Sequence, residues 1–212
     1  EVNFNIILHQ GREIVVNTFP MGIDYKKFEI SALESVKKDD SKISELKKQI
    51  NTHKLENKGK LILSIDRLDY TKGVVNRLLA FERFLDTYPQ YRDKIRLVML
   101  AVPSRSKVAQ YKKLKRQTDE VVGRINGKFA SVNWTPVWYY YRSMEFENLI
   151  DLYVSSDVAM ITPLRDGMNL VAKEYLATRI NNDGVLILSE LAGSSKELPQ
   201  ALLVNPFDIE QL

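Results

Sequence analysis

Between Asp157 and Ala177 the chain reads DVAMITPLRDGMNLVAKEYLA. Its first seven residues are a short apolar run closed by Pro163. Arg165, Asp166 and Gly167 then make a charged turn, and from Asn169 helix formers take over to about Ile180. Strand, turn and helix in so short a span make up half of a βαβ unit. The same alternation extends in both directions. Upstream, KLILSID (Lys60–Asp66) predicts a strand, VVNRLLAFERFLDTYP (Val74–Pro89) a helix and IRLVMLAV (Ile95–Val102) a strand. Lys107 to about Gly123 predicts a long basic helix, PVWYYY (Pro136–Tyr141) an aromatic strand, and Met144–Val154 a helix. Downstream, GVLILSE (Gly184–Glu190) and ALLVNP (Ala201–Pro206) predict two more strands. Strands that are apolar throughout belong to a parallel sheet covered on both faces, so the expected fold is α/β with a doubly wound parallel sheet from about Phe19 onward.

Ahead of that unit, REIVVNTF (Arg12–Phe19) predicts a strand and PMGID a turn broken by Pro20 and Gly22. From Asp24 to about Asn57 the chain is charged and rich in helix formers, with apolar marks at Ile43, Leu46 and Ile50 that predict an amphipathic helix.

The bulk properties narrow the function. A chain of 212 residues with 44% hydrophobic content fills one large domain or two small ones. It has no cysteine, which excludes disulfides, thiolate metal sites and cysteine nucleophiles and fits a reducing cytoplasm. His9 and His53 lack ligand spacing, so no metal site is expected. No apolar run reaches the roughly 18 residues of a membrane span. The opening EVNFNIILHQGREIVV lacks a signal peptide's basic lead and cleavage site, and there is no initiator Met. The expectation is a cytoplasmic, soluble piece of a longer protein.

The net charge of +4 is unevenly placed: Arg92–Lys128 carries eleven Lys or Arg against Asp93, Asp119 and Glu120. SRSKVAQYKKLKR fits a nucleic-acid patch, a site for small anions or a solvated helix face. Its cations spread over more than one face without an aromatic platform or a known motif, so nucleic acid is not expected as a partner. The aromatic segment WTPVWYYYR is read as core.

In an open parallel sheet, ligands sit beyond the carboxyl ends of the strands. The loop after Lys60–Asp66 brings Arg67 and Lys72 there, the next brings Arg105, and the loop after Asp157–Pro163 brings Arg165 and Asp166. A helix starting near Asn169 would leave the amides of about Met168 to Val171 unpaired, and its dipole adds positive character. Gly167 lets backbone approach a ligand closely. Glu174 lies about 7 Å further along the helix, where a carboxylate suits two sugar hydroxyls better than a phosphate. These residues point to a nucleoside diphosphate, with phosphates on the helix start and ribose on Glu174. They do not name an acceptor.

FPMGID, IDRLDYTKG, RLLAFERFL, GRINGKF, WTPVWYYY, TPLRDGMNLVAKEYLA and GVLILSELAGSS together resemble the carboxyl-terminal half of the trehalose-6-phosphate synthase family, over Phe19 to Leu212. That family consists of retaining glycosyltransferases of GT-B architecture, with two facing Rossmann-like domains. The resemblance implies transfer of glucose from UDP-glucose, or another nucleotide-glucose, to glucose 6-phosphate, giving α,α-trehalose 6-phosphate without metal or other cofactor. It implies that Arg67 and Lys72 serve the donor phosphates and Asp166 the transferred glucose. Gly167, Met168, Asn169, Leu170 and Val171 form the main-chain cradle, Glu174 holds the ribose, and Arg105 reaches the acceptor phosphate. Residues 1–18 look like the end of a preceding domain and an interdomain link, and residues 19–212 like the nucleotide-sugar domain, cut before its closing helix. The isolated chain is therefore expected to bind nucleotide and transfer little glucose. Glycogen and sucrose-phosphate synthases are the nearest enzymatic alternatives, and a silent sugar-phosphate-sensing homologue is the alternative of another class.

Overall fold

The computed structural model describes residues 5–38, 44–57 and 59–212, with the backbone alone at 55–57. A short antiparallel hairpin comes first, β1 (Ile6–His9) and β2 (Arg12–Val15), turning at Gln10 and Gly11 with positive φ at both. The expected strand Arg12–Phe19 is thus shorter than its apolar run, because pairing ends with β1.

Two helices follow where one amphipathic stretch was expected. α1 (Tyr25–Lys37) is capped by Asp24, whose side chain accepts from the Lys27 amide, and α2 covers Glu45–Asn57. The predicted mark Ile43 lies outside the described residues; Leu46 and Ile50 pack as expected.

The alternating part then runs β3 (Lys60–Arg67), α3 (Val74–Thr87), β4 (Ile95–Val102), α4 (Ala109–Phe129), β5 (Val137–Tyr140), α5 (Phe146–Ser155), β6 (Val158–Ile161), α6 (Leu170–Ala177), β7 (Val185–Ser189) and β8 (Leu202–Val204). These six strands form one sheet in the order β5-β4-β3-β6-β7-β8, parallel at every pairing. Renumbered from β3, that is the Rossmann order 3-2-1-4-5-6, so the expected fold class holds.

The pleat sorts the core into two layers. On β4, Leu97, Met99 and Ala101 face α3 and α4 with Leu78, Phe81, Leu85, Ile125 and Phe129. Val98 and Leu100 face the opposite cluster with Ile50, Ile150, Leu152, Tyr153 and Tyr175 from α2, α5 and α6. Period-two alternation on a strand buried on both sides leaves no polar face, which is why its sequence is apolar from Leu97 onward, Arg96 being the one charged residue on it. α4 extends past the predicted stop at Gly123: Val121, Val122, Ile125 and Phe129 keep a buried stripe at helical spacing, and added Cβ atoms at Gly123 and Gly127 would meet open space. No helix among the described residues is long and apolar enough to cross a membrane.

Candidate active site at the strand switch point

β3 and β6 lie side by side, yet their helices leave to opposite faces of the sheet, so a crevice opens beyond their carboxyl ends. A cavity of about 500 Å³ fills it, with Ile65 and Val102 among its apolar lining, Arg67 and Lys72 from the β3 side, and Asp166 with Met168–Val171 from the β6 side. Of the residues expected at the site, the structure brings Arg67, Lys72, Asp166, Met168, Asn169, Leu170 and Val171 onto this cavity. Gly167 lies between two of them. Glu174 lies one helical turn beyond and does not line it, and Arg105 and Arg165 stand exposed on neighbouring loops outside it.

Three loops are locked together before any ligand arrives. The Thr71 carbonyl accepts from the amides of Leu164 (2.8 Å) and Arg165 (3.1 Å), tying the loop after β3 to the loop after β6. Gly73, at φ +66°, allows that approach, since a Cβ there would stand 2.6 Å from the Thr162 carbonyl oxygen. The loop after β7 closes on the same turn: the Gly193 amide donates to the Asp166 carbonyl (3.0 Å) and the Ser194 amide to that of Met168 (2.7 Å). Sequence reasoning did not give Gly193 a role, though a glycine at the tip of a strand-end loop is the visible signal.

The helix start is narrower than expected. Asn169 is a left-handed cap at φ 76° whose side chain accepts from the Ala172 amide at 3.1 Å. The Met168 amide is not free: it donates to Asp166 Oδ1 at 3.4 Å. Those of Leu170 and Val171 meet no acceptor among the described residues and remain open at the dipole's positive end. Gly167 has open space where a Cβ would project and no positive φ, so neither packing nor backbone geometry demands glycine there.

The charge pattern also differs from a purely cationic pocket. Lys72 Nζ donates to Asp166 Oδ2, and Asp66 Oδ1 lies 3.9 Å from it. Asp166 Oδ2 also accepts from Asn169 Nδ2 at 3.1 Å. Beneath them, fully buried Arg77 pairs with Asp66 at 2.7 Å and donates to the carbonyls of Lys72 (3.0 Å) and Met160 (3.3 Å). Burial pushes the Asp66 carboxyl above its ordinary range, against the pull of Arg77 and Lys72. The lining therefore holds Arg67 and Lys72 against Asp66 and Asp166, and the helix start adds its open amides to the cations. The Asp66–Arg77 pair was not anticipated, because nothing in sequence separates a buried ion pair from two surface charges.

Two second contacts fix further side chains. The Tyr153 hydroxyl, in the core, donates to Glu174 Oε2 at 2.6 Å. Burial first, then the Glu174 charge, pushes this phenol well above its ordinary range, so it stays a donor. Arg105, at φ 44°, donates to Tyr111 Oη at 3.4 Å, which itself donates to Asp69 Oδ2 at 2.8 Å. Met21 also lines the cavity, and its carbonyl accepts from Lys173 Nζ of α6 at 2.9 Å, giving the PMGID segment a place that sequence reasoning did not foresee.

Relatives of this chain match nearly its whole length. The bifunctional trehalose-6-phosphate synthase/phosphatase of Thermoproteus tenax is 48% identical over 209 residues, which is 99% of this chain and 28% of that protein. The 56 kDa subunit of the UDP-forming α,α-trehalose-phosphate synthase of Saccharomyces cerevisiae is 43% identical, over 98% of this chain and 40% of its own. Among solved structures, a UDP-forming α,α-trehalose-phosphate synthase from Burkholderia xenovorans in complex with glucose-6-phosphate superposes with a TM-score of 0.89 at 38% identity, over 97% of this chain and 44% of that one. An E. coli structure bound with UDP-2-fluoro glucose gives 0.88 at 37% identity, over 100% and 45%. The chain thus spans less than half the length of each of these relatives, and all are of one kind. Residues 1–212 match the model of glycosyltransferase family 20, and the chain belongs to that family.

Proposed function

We propose that the chain is the donor-binding part of a retaining, UDP-forming glucosyltransferase that works in the cytoplasm. The enzyme moves glucose from UDP-glucose, or another nucleoside diphosphate glucose, to glucose 6-phosphate and so makes α,α-trehalose 6-phosphate. Residues 19–212 are the binding unit, with 1–18 outside it. The observation that carries this reading is the meeting of Arg67, Lys72 and the open amides of Leu170 and Val171 on one cavity at the switch point. The relatives' description as UDP-forming trehalose-phosphate synthases supplies the substrates.

In this reading the diphosphate lies against the helix start and Arg67, with Lys72 turning toward it from Asp166. As the bond from the anomeric carbon to the phosphate oxygen breaks, negative charge grows on the leaving diphosphate, and fixed amides and cations stabilise it. Asp166 holds hydroxyls of the transferred glucose. The acceptor hydroxyl attacks from the face that the diphosphate leaves and gives its proton to a departing phosphate oxygen, which retains the anomeric configuration. Glu174, with one oxygen already held by Tyr153, accepts from the ribose hydroxyls. Arg105 faces the acceptor phosphate from the loop after β4.

Calorimetric titration with UDP and UDP-glucose tests the binding reading. Arg67→Ala and Glu174→Ala should each weaken binding at least tenfold; wild-type affinity in both would overturn it. The full-length parent should form trehalose 6-phosphate and UDP from UDP-glucose and glucose 6-phosphate, while the 212-residue chain alone should bind donor and form little product.

A further inference from the structure

A second cavity, of about 270 Å³, lies under α2 near the amino ends of β4 and β5. Arg96, Trp138 and Asn133 line its sheet side; Lys48, Gln49, Thr52 and His53 line its helix side. Arg96 and Val102 are six residues apart on β4, so about 20 Å of strand separates this cavity from the cleft at the switch point.

Two features set it apart. The first is the helix face. A helix packed on a sheet usually turns an apolar stripe inward, and α2 does so with Leu46 and Ile50. Beside them, Lys48, Gln49 and Thr52 make a polar stripe at helical spacing, and it borders the cavity instead of filling it. The second is Arg96. It is only 5% exposed, its Nε donates to the Thr135 carbonyl at 2.9 Å, and its guanidinium carbon sits 4.0 Å from the centre of the Trp138 ring. No carboxylate pairs with it among the described residues, and its two terminal nitrogens meet no protein acceptor there and keep some access to solvent. Burying a guanidinium without a counter-charge costs free energy that stacking on an indole offsets only in part. Burial also lowers its pKa to about 10, leaving it protonated at neutral pH.

A planar fork of donors, held at its Nε and open at its terminal nitrogens, is the geometry that grips an oxyanion in two-pronged fashion. Lys48 adds a second cation from the helix side, while Glu45 at the edge keeps the mouth from being broadly positive. We propose that this cavity is a binding site for a small oxyanion, the phosphate or carboxylate group of a metabolite, held by Arg96 and Lys48 beside Trp138. Its volume falls just below that of sites for drug-sized ligands, which fits a small guest. The proposal stands apart from the donor site and does not depend on it.

Trp138 is the built-in reporter. The 212-residue chain is titrated with sodium phosphate and, separately, sodium malonate at constant ionic strength, following tryptophan emission. A saturable change with at least one anion is expected, its midpoint moved at least tenfold by Arg96→Met and about threefold by Lys48→Ala, and unmoved by Arg67→Ala. A tighter midpoint for phosphate assigns a phosphomonoester, a tighter one for malonate a carboxylate. If Arg96→Met does not fold, the double variant Lys48→Ala/Thr52→Val, altered only on exposed helix positions, decides with the same threefold criterion. Flat titrations with both anions, an unmoved midpoint in the helix variants, or loss of the signal in Arg67→Ala would overturn the proposal.

Discussion

Lys72 stands between two carboxylates of its own chain, Asp66 at 3.9 Å and Asp166 in direct contact, and this changes what binding must do there. In the proposed reading a phosphate competes with Asp166 for the Lys72 ammonium, and whatever hold it takes loosens that carboxylate toward sugar hydroxyls. Glu174 has the opposite arrangement: the Tyr153 hydroxyl already holds one oxygen and aims the other. Tyr153→Phe should weaken UDP binding roughly fivefold, about the worth of one hydrogen bond near 1 kcal/mol, and weaken 2′-deoxy-UDP less. Calorimetry with both nucleotides checks this, and equal losses would place the effect in packing. Arg67, Lys72, Asp166 and the helix start were legible in sequence because strand ends and a helix beginning are local features. Tyr153 was not, since it sits on the buried face of α5 and reads as core, and Asp66–Arg77 is a contact eleven residues apart that only tertiary structure creates.

The turn Asp166–Gly167–Met168 contains the cleanest separation of ligand from packing. At Gly167 an added methyl meets nothing within 4 Å, whereas at Gly193 it would stand 2.0 Å from the Gly167 carbonyl oxygen. Gly167→Ala should therefore leave the urea midpoint unchanged or slightly raised while weakening UDP-glucose binding. Gly193→Ala should lower stability by about 1–3 kcal/mol and weaken binding together. Equilibrium unfolding beside calorimetry separates the two, and a destabilised Gly167→Ala would mean that the glycine serves the fold instead. Element existence was well marked in sequence, since β3, β4 and α3 follow strong periodic patterns. Ends were not: α4 crosses two glycines because tertiary packing of Ile125 and Phe129 outweighs their propensity cost, and β2 stops where its partner does.

For the molecule as a whole, acid sensitivity follows from two groups on the amino-terminal side of the sheet, buried His53 and half-buried Asp157. Burial, with Arg96 and Lys54 nearby, lowers the His53 pKa from 6.5 to about 4, so the folded state keeps the ring neutral. The unfolded chain gains a proton below 6.5 that the folded chain refuses, and stability falls as pH drops from 6.5 toward 4. At Asp157, burial is outweighed by the Leu61 amide, Lys60 and Lys54, which hold the carboxyl below its ordinary value. Its contribution is present above that ordinary value and fades only as pH falls through the depressed one. Urea midpoints should thus decline between pH 7 and pH 5, with His53 accounting for up to about 2 kcal/mol. His53→Leu should flatten that decline, and an equally steep profile in the variant would assign it elsewhere.

The crevice between β3 and β6 is a seam where two packing layers meet, one under α3 and the other under α6, and along it the loops are stitched by the Thr71 carbonyl and by the Lys72–Asp166 pair. A guest that touches both margins acts as a rivet through the two shells. Its departure returns the seam to those two stitches, and one of them is a peptide group that never touches the chemistry.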